Sequence, residues 1–159
     1  MKFQEKIVEL DKAVSQIEEL KRDNQKIVFT NGCFDLLHKG HITYLEKAGE
    51  LGDFLVVGLN SDDSVRRLKG ENRPVKSLVN RISVLAGLAS VDMVIPFEED
   101  TPLLLIQQIN PDVLVKGGDY SMENIVGADF VLNEGGRVEL IKFVEGFSSS
   151  AIINKMENI

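Results

Sequence analysis

The sequence predicts an α/β fold, with a parallel sheet of about five strands covered by helices on both faces. Three observations predict it. Segments of strand character and helix character alternate almost throughout the chain. The strand segments are short and apolar on both faces, as strands buried in a parallel sheet are. Turn and helix-stop residues separate one segment from the next.

The elements follow in order. Residues 3–22 read as an amphipathic helix, with Ile7, Leu10, Ala13, Val14, Ile17 and Leu20 at helical spacing. Asn24 breaks it. Residues 26–30 hold Ile27, Val28 and Phe29 and read as a strand, closed by the turn chemistry of Asn31-Gly32. Residues 41–51 are helical, with Ile42, Leu45, Ala48 and Leu51 on one face and Gly52 as the stop. Residues 53–60 (DFLVVGLN) are a second buried strand, 62–68 a short helix and 69–74 a polar loop. A helix over 78–88, a strand over 93–97 and a helix over 102–109 come next. Residues 112–116 (DVLVK) are a fourth strand, followed by a loop with glycines. A helix over 128–133 ends at Gly135-Gly136, a fifth strand spans 137–143, and a final helix spans 149–156.

Composition bounds the function. The chain has 159 residues, which suits one domain spanning 1–159, with the first 24 residues packed on it. A formal net charge of −7 excludes a general nucleic-acid binder, which needs a broad cationic face. It leaves room for a nucleotide pocket, which needs only a few cations and backbone N–H groups. Cys33 is the single cysteine, so neither an internal disulfide nor a cysteine metal cluster forms. The N-terminus has no apolar signal core, and no apolar run is long enough to span a membrane; the expected compartment is the cytoplasm.

In a parallel sheet ligands bind beyond the carboxyl ends of the strands. That rule directs attention to 31–41, 60–63, 116–120 and 145–150. Both histidines of the protein, His38 and His41, lie in the first of these, three apart at the start of a helix. Gly40 between them lets a phosphate approach the backbone. The helix N-terminus adds N–H groups and a positive dipole end, and an N–H-bearing or protonated imidazole donates to phosphoryl oxygens. Two histidines without a carboxylate triplet or cysteine partner make a poor zinc site, so no protein-held metal is expected. Cys33 has no base placed to activate it and reads as a small buried residue of the turn.

The stretch NGCFDLLHKGH resembles the HxGH signature of the cytidylyltransferase-like nucleotidyltransferases, whose fold is a Rossmann-like parallel sheet. The wider run resembles one branch more closely. GLNSDDSVRRLKG, RPV, VDMVIPFEEDTP, PDVLVKGGDY and GADFV occur in the same order in the adenylyltransferase domain of bacterial ADP-heptose synthases.

The resemblance implies a reaction and a set of roles. ATP and a heptose 1-phosphate would give an ADP-heptose and pyrophosphate by direct in-line attack, without a covalent enzyme intermediate. His38 and His41 would hold the triphosphate and stabilise the pentacoordinate α-phosphorus. Lys69 would reach toward the phosphates, where a loop cation stabilises developing charge. Asn31, Gly32, Cys33, Phe34 and Gly40 would line the nucleotide site. Lys116, Gly117 and Asp119 would help hold nucleotide and acceptor, the glycines of that loop letting the backbone approach a base or ribose. Ser148, Ser149 and Ser150 offer three hydroxyls at a helix start, for phosphate oxygens or as an ordinary cap. Asn60, Asp63 and Arg73 are assigned to the acceptor side. Arg81 is a further candidate cation, equally suited to a structural ion pair. Asp35 either touches Mg²⁺ or the acceptor, or braces its turn.

Mg²⁺ is expected to arrive with ATP, held mainly by phosphates and water. ATP and a phosphorylated sugar are the expected partners, with no nucleic acid and no membrane. A separate sugar kinase is expected to supply the acceptor, because the chain has no room for one. The apolar face of the first helix and the resemblance together suggest a homodimer. Glycerol-phosphate cytidylyltransferases carry an arginine five residues before the first serine of the last motif, where this chain has Phe143; that difference weighs against CTP. Glycerol-3-phosphate cytidylyltransferase, FMN adenylyltransferase and a non-catalytic nucleotide sensor remain as alternatives.

Overall fold

A computed structural model describes residues 1–118, 120–143, 146 and 148–159. Five parallel strands, β1 (Ile27–Gly32), β2 (Phe54–Asn60), β3 (Met93–Phe97), β4 (Val113–Gly117) and β5 (Arg137–Ile141), form one sheet in the order β3-β2-β1-β4-β5. The helices are α1 (Leu10–Arg22), α2 (Lys39–Gly49), α3 (Asp62–Lys69), α4 (Leu78–Ala86), α5 (Leu103–Ile109), α6 (Ala128–Asn133) and α7 (Ser149–Glu157). This is the Rossmann-like arrangement that the alternation predicts.

The central strands are apolar on both faces because each face meets helices. Alternate residues of β1 show it: Ile27 and Phe29 pack with α1, α5 and α6, while Val28 packs with α2 and α4. The same division runs through β2, β3 and β4, giving two cores on either side of the sheet. Strand β5 departs from the expected pattern. It lies at the sheet edge, and only Val138 is buried; Leu140, two residues on and on the same face, is exposed, so the helices cover this strand only in part.

The N-terminal segment also differs from the single helix read over 3–22. Phe3–Lys6 is a short 3-10 turn, and α1 starts only at Leu10. Between them Ile7 pairs with Val94 on the outer edge of β3, and the Val8 N–H donates to the Val94 carbonyl at 3.0 Å. Consecutive apolar residues at Ile7 and Val8 do not fit one helical stripe. They are better satisfied by covering an open strand edge, whose backbone groups otherwise lack partners. Part of the apolar face of α1 packs inside the molecule. Ala13 and Ile17 are fully buried in the core shared with α5.

One feature of the sheet positions the site. The order reverses between β1 and β4, since β2 follows on one side of β1 and β4 lies on the other. The β1–β4 ladder pairs Val28 with Val113 and Phe29 with Leu114, and no later pair follows among the described residues. The two strands part beyond Phe29, and a cleft opens at their carboxyl ends. Ligands bind at such switch points in open α/β sheets.

Candidate active site

A cavity of about 630 Å³ occupies this cleft. Tyr44 from α2 forms part of its inner wall. Its hydroxyl lies 2.6 Å from Thr30 Oγ1 on β1 and donates to the Val115 carbonyl of β4 at 3.4 Å. The side chain therefore fills the gap where strand pairing stops and ties α2 to both strands. Burial pushes its phenol up to about 12, so the hydroxyl keeps its proton.

The histidine turn sits one helical turn before Tyr44. His38 is the N-cap of α2, with extended backbone, and its Nδ1 accepts the Gly40 N–H at 3.1 Å. The His38 N–H in turn donates to Nδ1 of His41 at 3.3 Å. An imidazole nitrogen here plays the part that a serine or aspartate oxygen plays in most caps. The two rings stack with centroids 3.9 Å apart. Phe34 packs on His41 with centroids 5.4 Å apart and holds a positive φ of 44°, an uncommon conformation for a bulky residue.

These bonds fix the chemistry of the rings. Each Nδ1 is an acceptor, so each neutral ring carries its proton on Nε2. Burial, and then the neighbouring His38, lower His41 to about 4; burial also lowers His38. Both imidazoles are therefore neutral N–H donors at physiological pH. Two of the backbone N–H groups read as a phosphate cradle, those of His38 and Gly40, are spent on orienting the rings.

Other candidate residues fall into three groups. Asn31, Gly32, Cys33, Phe34, Gly40, Lys69, Lys116, Gly117, Ser148, Ser149 and Ser150 all line the cavity. Within that group Lys69 ends α3 and is exposed, Ser148 caps α7 by accepting the Ala151 N–H at 3.0 Å, and the Ser149 hydroxyl donates to the Leu36 carbonyl at 2.9 Å. Cys33 is only partly buried; burial raises its thiol despite nearby Lys69, Arg81 and Arg73, so it stays protonated. Burial also lowers the Lys116 amine, which lies 5.4 Å from the Tyr120 ring centroid.

A second group reaches the cavity wall already committed to partners. Asp35 accepts from Arg73 Nε at 2.9 Å and from the N–H groups of Val75 and Lys76 at 2.9 and 3.0 Å. Burial pushes this carboxyl up, but those three donors outweigh it and hold it below the usual range. Asp35 therefore braces the 73–76 loop rather than its own turn. Asn60 is buried, donates to Ser64 Oγ at 3.0 Å and offers its carbonyl to Arg81.

The third group lies elsewhere. Asp63 points outward from α3 and pairs with Arg66, away from the cavity lining. Successive helical residues differ by about 100° in direction, so Asp62 meets Arg81 while Asp63 meets solvent. Arg81 is 1% exposed and structural: it donates to the carbonyls of Lys76, Cys33 and Asn60 and to Asp62. Asp119 lies outside the described residues.

The donor set does not fit a protein-held divalent ion. Among the described residues no three His, Cys, Asp or Glu side chains converge, and the two lining carboxylates, Asp35 and Asp100, pair with Arg73 and Arg67. Residue pattern alone assigns nothing to Tyr44, Tyr120 and Phe143, which also line the cavity. A signal existed for Tyr44, a phenol three residues after His41 on the same helix face. Phe143 instead reads as the end of β5, yet its ring occupies the space beside Gly117. A Cβ built on Gly117 would lie 2.6 and 2.7 Å from its Cε1 and Cζ atoms.

Comparison with known proteins agrees with this geometry. Residues 29–155 match the family model described as Cytidylyltransferase-like. The chain is 56% identical over 151 residues to "Bifunctional protein HldE" of Citrifermentans bemidjiense, covering 95% of this chain and 31% of that one. It is 56% identical over 149 residues to the protein of the same name from Haemophilus influenzae strain PittEE, covering 94% and 31%. The chain thus spans about a third of the length of these curated relatives. A solved structure, the lipopolysaccharide core biosynthesis protein from Thermoplasma volcanium, superposes with a TM-score of 0.60 at 28% identity, over 76% of this chain and 97% of that one. No helix among the described residues is long and apolar enough to cross a membrane. From the matched length and the identity to these relatives, the chain belongs to the cytidylyltransferase-like family.

Proposed function

We propose that residues 1–159 form one nucleotidyltransferase domain that moves the adenylyl group of ATP onto a heptose 1-phosphate, giving an ADP-heptose and pyrophosphate. One observation carries the reaction type. Two stacked imidazoles, each with Nδ1 engaged by a backbone N–H, stand at the helix start that lines the switch-point cavity. The acceptor follows from the resemblance to ADP-heptose synthases and is supported by the identity to the HldE proteins.

In this reading the triphosphate lies against His38 and His41, which offer Nε2–H to its oxygens. An anionic oxygen of the acceptor phosphate attacks the α-phosphorus. The bond from that phosphorus to the bridging oxygen breaks, and pyrophosphate leaves with the electron pair. The attacking oxygen is already deprotonated, so no general base is required, and none is needed from Cys33. Neutral rings held in place cost little reorganisation as charge moves onto the departing phosphates. Lys69 adds positive charge from the end of α3, and the hydroxyls of Ser148 and Ser150 at the start of α7 donate to phosphate or ribose oxygens, while that of Ser149 holds the Leu36 carbonyl. Bound to the phosphates and water, Mg²⁺ would supply charge neutralisation on the nucleotide. A sugar kinase activity supplies the heptose 1-phosphate.

The test is a pyrophosphate-release panel of ATP and CTP against heptose 1-phosphate, glycerol 3-phosphate and FMN. Release is expected with ATP and the heptose phosphate. Release with CTP alone would replace the assignment by cytidylyl transfer. Tight ATP binding without release for any acceptor would make the protein a nucleotide sensor.

A further inference from the structure

We propose that the Phe143 ring is the platform on which the adenine base stacks, and that it sets a preference for ATP over CTP. The inference rests on the nucleotidyltransferase reading above and names a specificity residue within it.

Phe143 follows β5 and lines the cavity, yet 56% of it is exposed. A single exposed phenylalanine needs no explanation by itself. This one is held in place by an unusual support. Its ring spans the Gly117–Gly118 segment, where a Cβ on Gly117 would overlap two ring atoms, and a Cβ on Gly118 would lie 3.2 Å from a third. The side-chain space that β4 leaves empty is therefore filled by an aromatic ring supplied from the neighbouring strand. Tyr44 supports the same ring with centroids 5.9 Å apart. One side of the ring is thus pinned on backbone and on Tyr44, and the residue both lines the cavity and keeps more than half of its surface exposed.

The direction of the site agrees. His41 and Tyr44 are one turn apart on α2, and Tyr44 touches Phe143. A nucleotide with its phosphates at the histidines and its ribose passing Tyr44 brings its base to Phe143. An aromatic face without a fixed donor or acceptor pattern recognises a base by π-surface. A purine covers more of the ring than a pyrimidine, so the platform favours adenine over cytosine.

The experiment measures binding of the α,β-methylene analogues of ATP and CTP by titration calorimetry. The proteins compared are the wild type, Phe143→Ala, Phe143→Leu and Phe143→Trp, each with its melting temperature. Loss of a stacking ring is expected to weaken the ATP analogue by about ten- to a hundredfold, and the CTP analogue much less. Phe143→Trp is expected to keep the ATP preference. Phe143→Leu retains apolar bulk over the glycines but has no π-face, so it should follow the alanine variant. A leucine variant with the wild-type ratio of ATP to CTP affinity overturns the inference and leaves the proposed function standing. So do equal losses for both nucleotides. A wild-type protein that binds the CTP analogue more tightly overturns the proposed function itself, and this inference with it.

Discussion

The Nδ1 atom of His41 accepts the backbone N–H of His38 at 3.3 Å, while the Nδ1 of His38 accepts from Gly40. The pair is thus a helix cap and a donor pair at once. Replacing His41 by alanine removes one donor and one capping bond. The expected loss is about 10²–10³ in kcat, against only about 1 kcal/mol of stability from the lost hydrogen bond. Steady-state kinetics and a melting curve on the same preparation check both. A large fall in melting temperature with kcat nearly unchanged would assign the ring to structure alone.

The same burial predicts a pH dependence. His41 is lowered from 6.5 to about 4, first by desolvation and then by His38. Between those values the unfolded chain binds a proton that the folded chain refuses, so stability rises with pH there. This contribution is complete above pH 6.5 and is lost as the pH falls toward 4. The melting temperature should decline over that window, and His41→Ala should decline less steeply. His38 is lowered too, so part of the slope should remain in the variant. Identical slopes for the two proteins would contradict the assignment.

Arg81 gives a stability prediction of the opposite kind. Its buried guanidinium joins the end of β1 at Cys33, the end of β2 at Asn60, the start of α3 at Asp62 and the loop at Lys76. Arg81→Met leaves three carbonyls and a carboxylate without that donor and is expected to cost about 3–5 kcal/mol. Arg81→Lys should recover little, because an ammonium cannot reach four acceptors in a planar fork. Chemical denaturation measures both.

How much of this was legible in the sequence depends on whether the signal is local. The strands were legible because apolar runs such as Val28-Phe29 and Val56-Val57 have no other stable home than a doubly covered sheet. The histidine turn was legible because two histidines and a glycine before a helical stripe form a short motif. The 3-10 turn and strand-edge pairing at Ile7 were not, since an edge needing cover belongs to β3, 87 residues later. The pairing of Asp35 with Arg73 was hidden for the same reason, and so was the Phe143 ring on Gly117. A side chain's partner across the sheet leaves no periodic trace. Asp63 misled because position after a strand does not say which way a helical side chain points.

Tyr44 and Thr30 offer the most discriminating test of how the cleft is held open. Their hydroxyls lie 2.6 Å apart in a fully buried site where β1 and β4 stop pairing. Tyr44→Phe strands the Thr30 hydroxyl and the Val115 carbonyl, at an expected cost of about 1–3 kcal/mol. Adding Thr30→Val removes one of those orphans, so the double variant should be more stable than the sum of the single losses. Because α2 carries His41 and is capped by His38, slackening this tie should also lower kcat, within about tenfold, without abolishing it. Denaturation of the four proteins in the cycle measures the coupling, and turnover measures the tie. Additive losses with kcat unchanged would mean that the histidine turn holds its geometry without Tyr44.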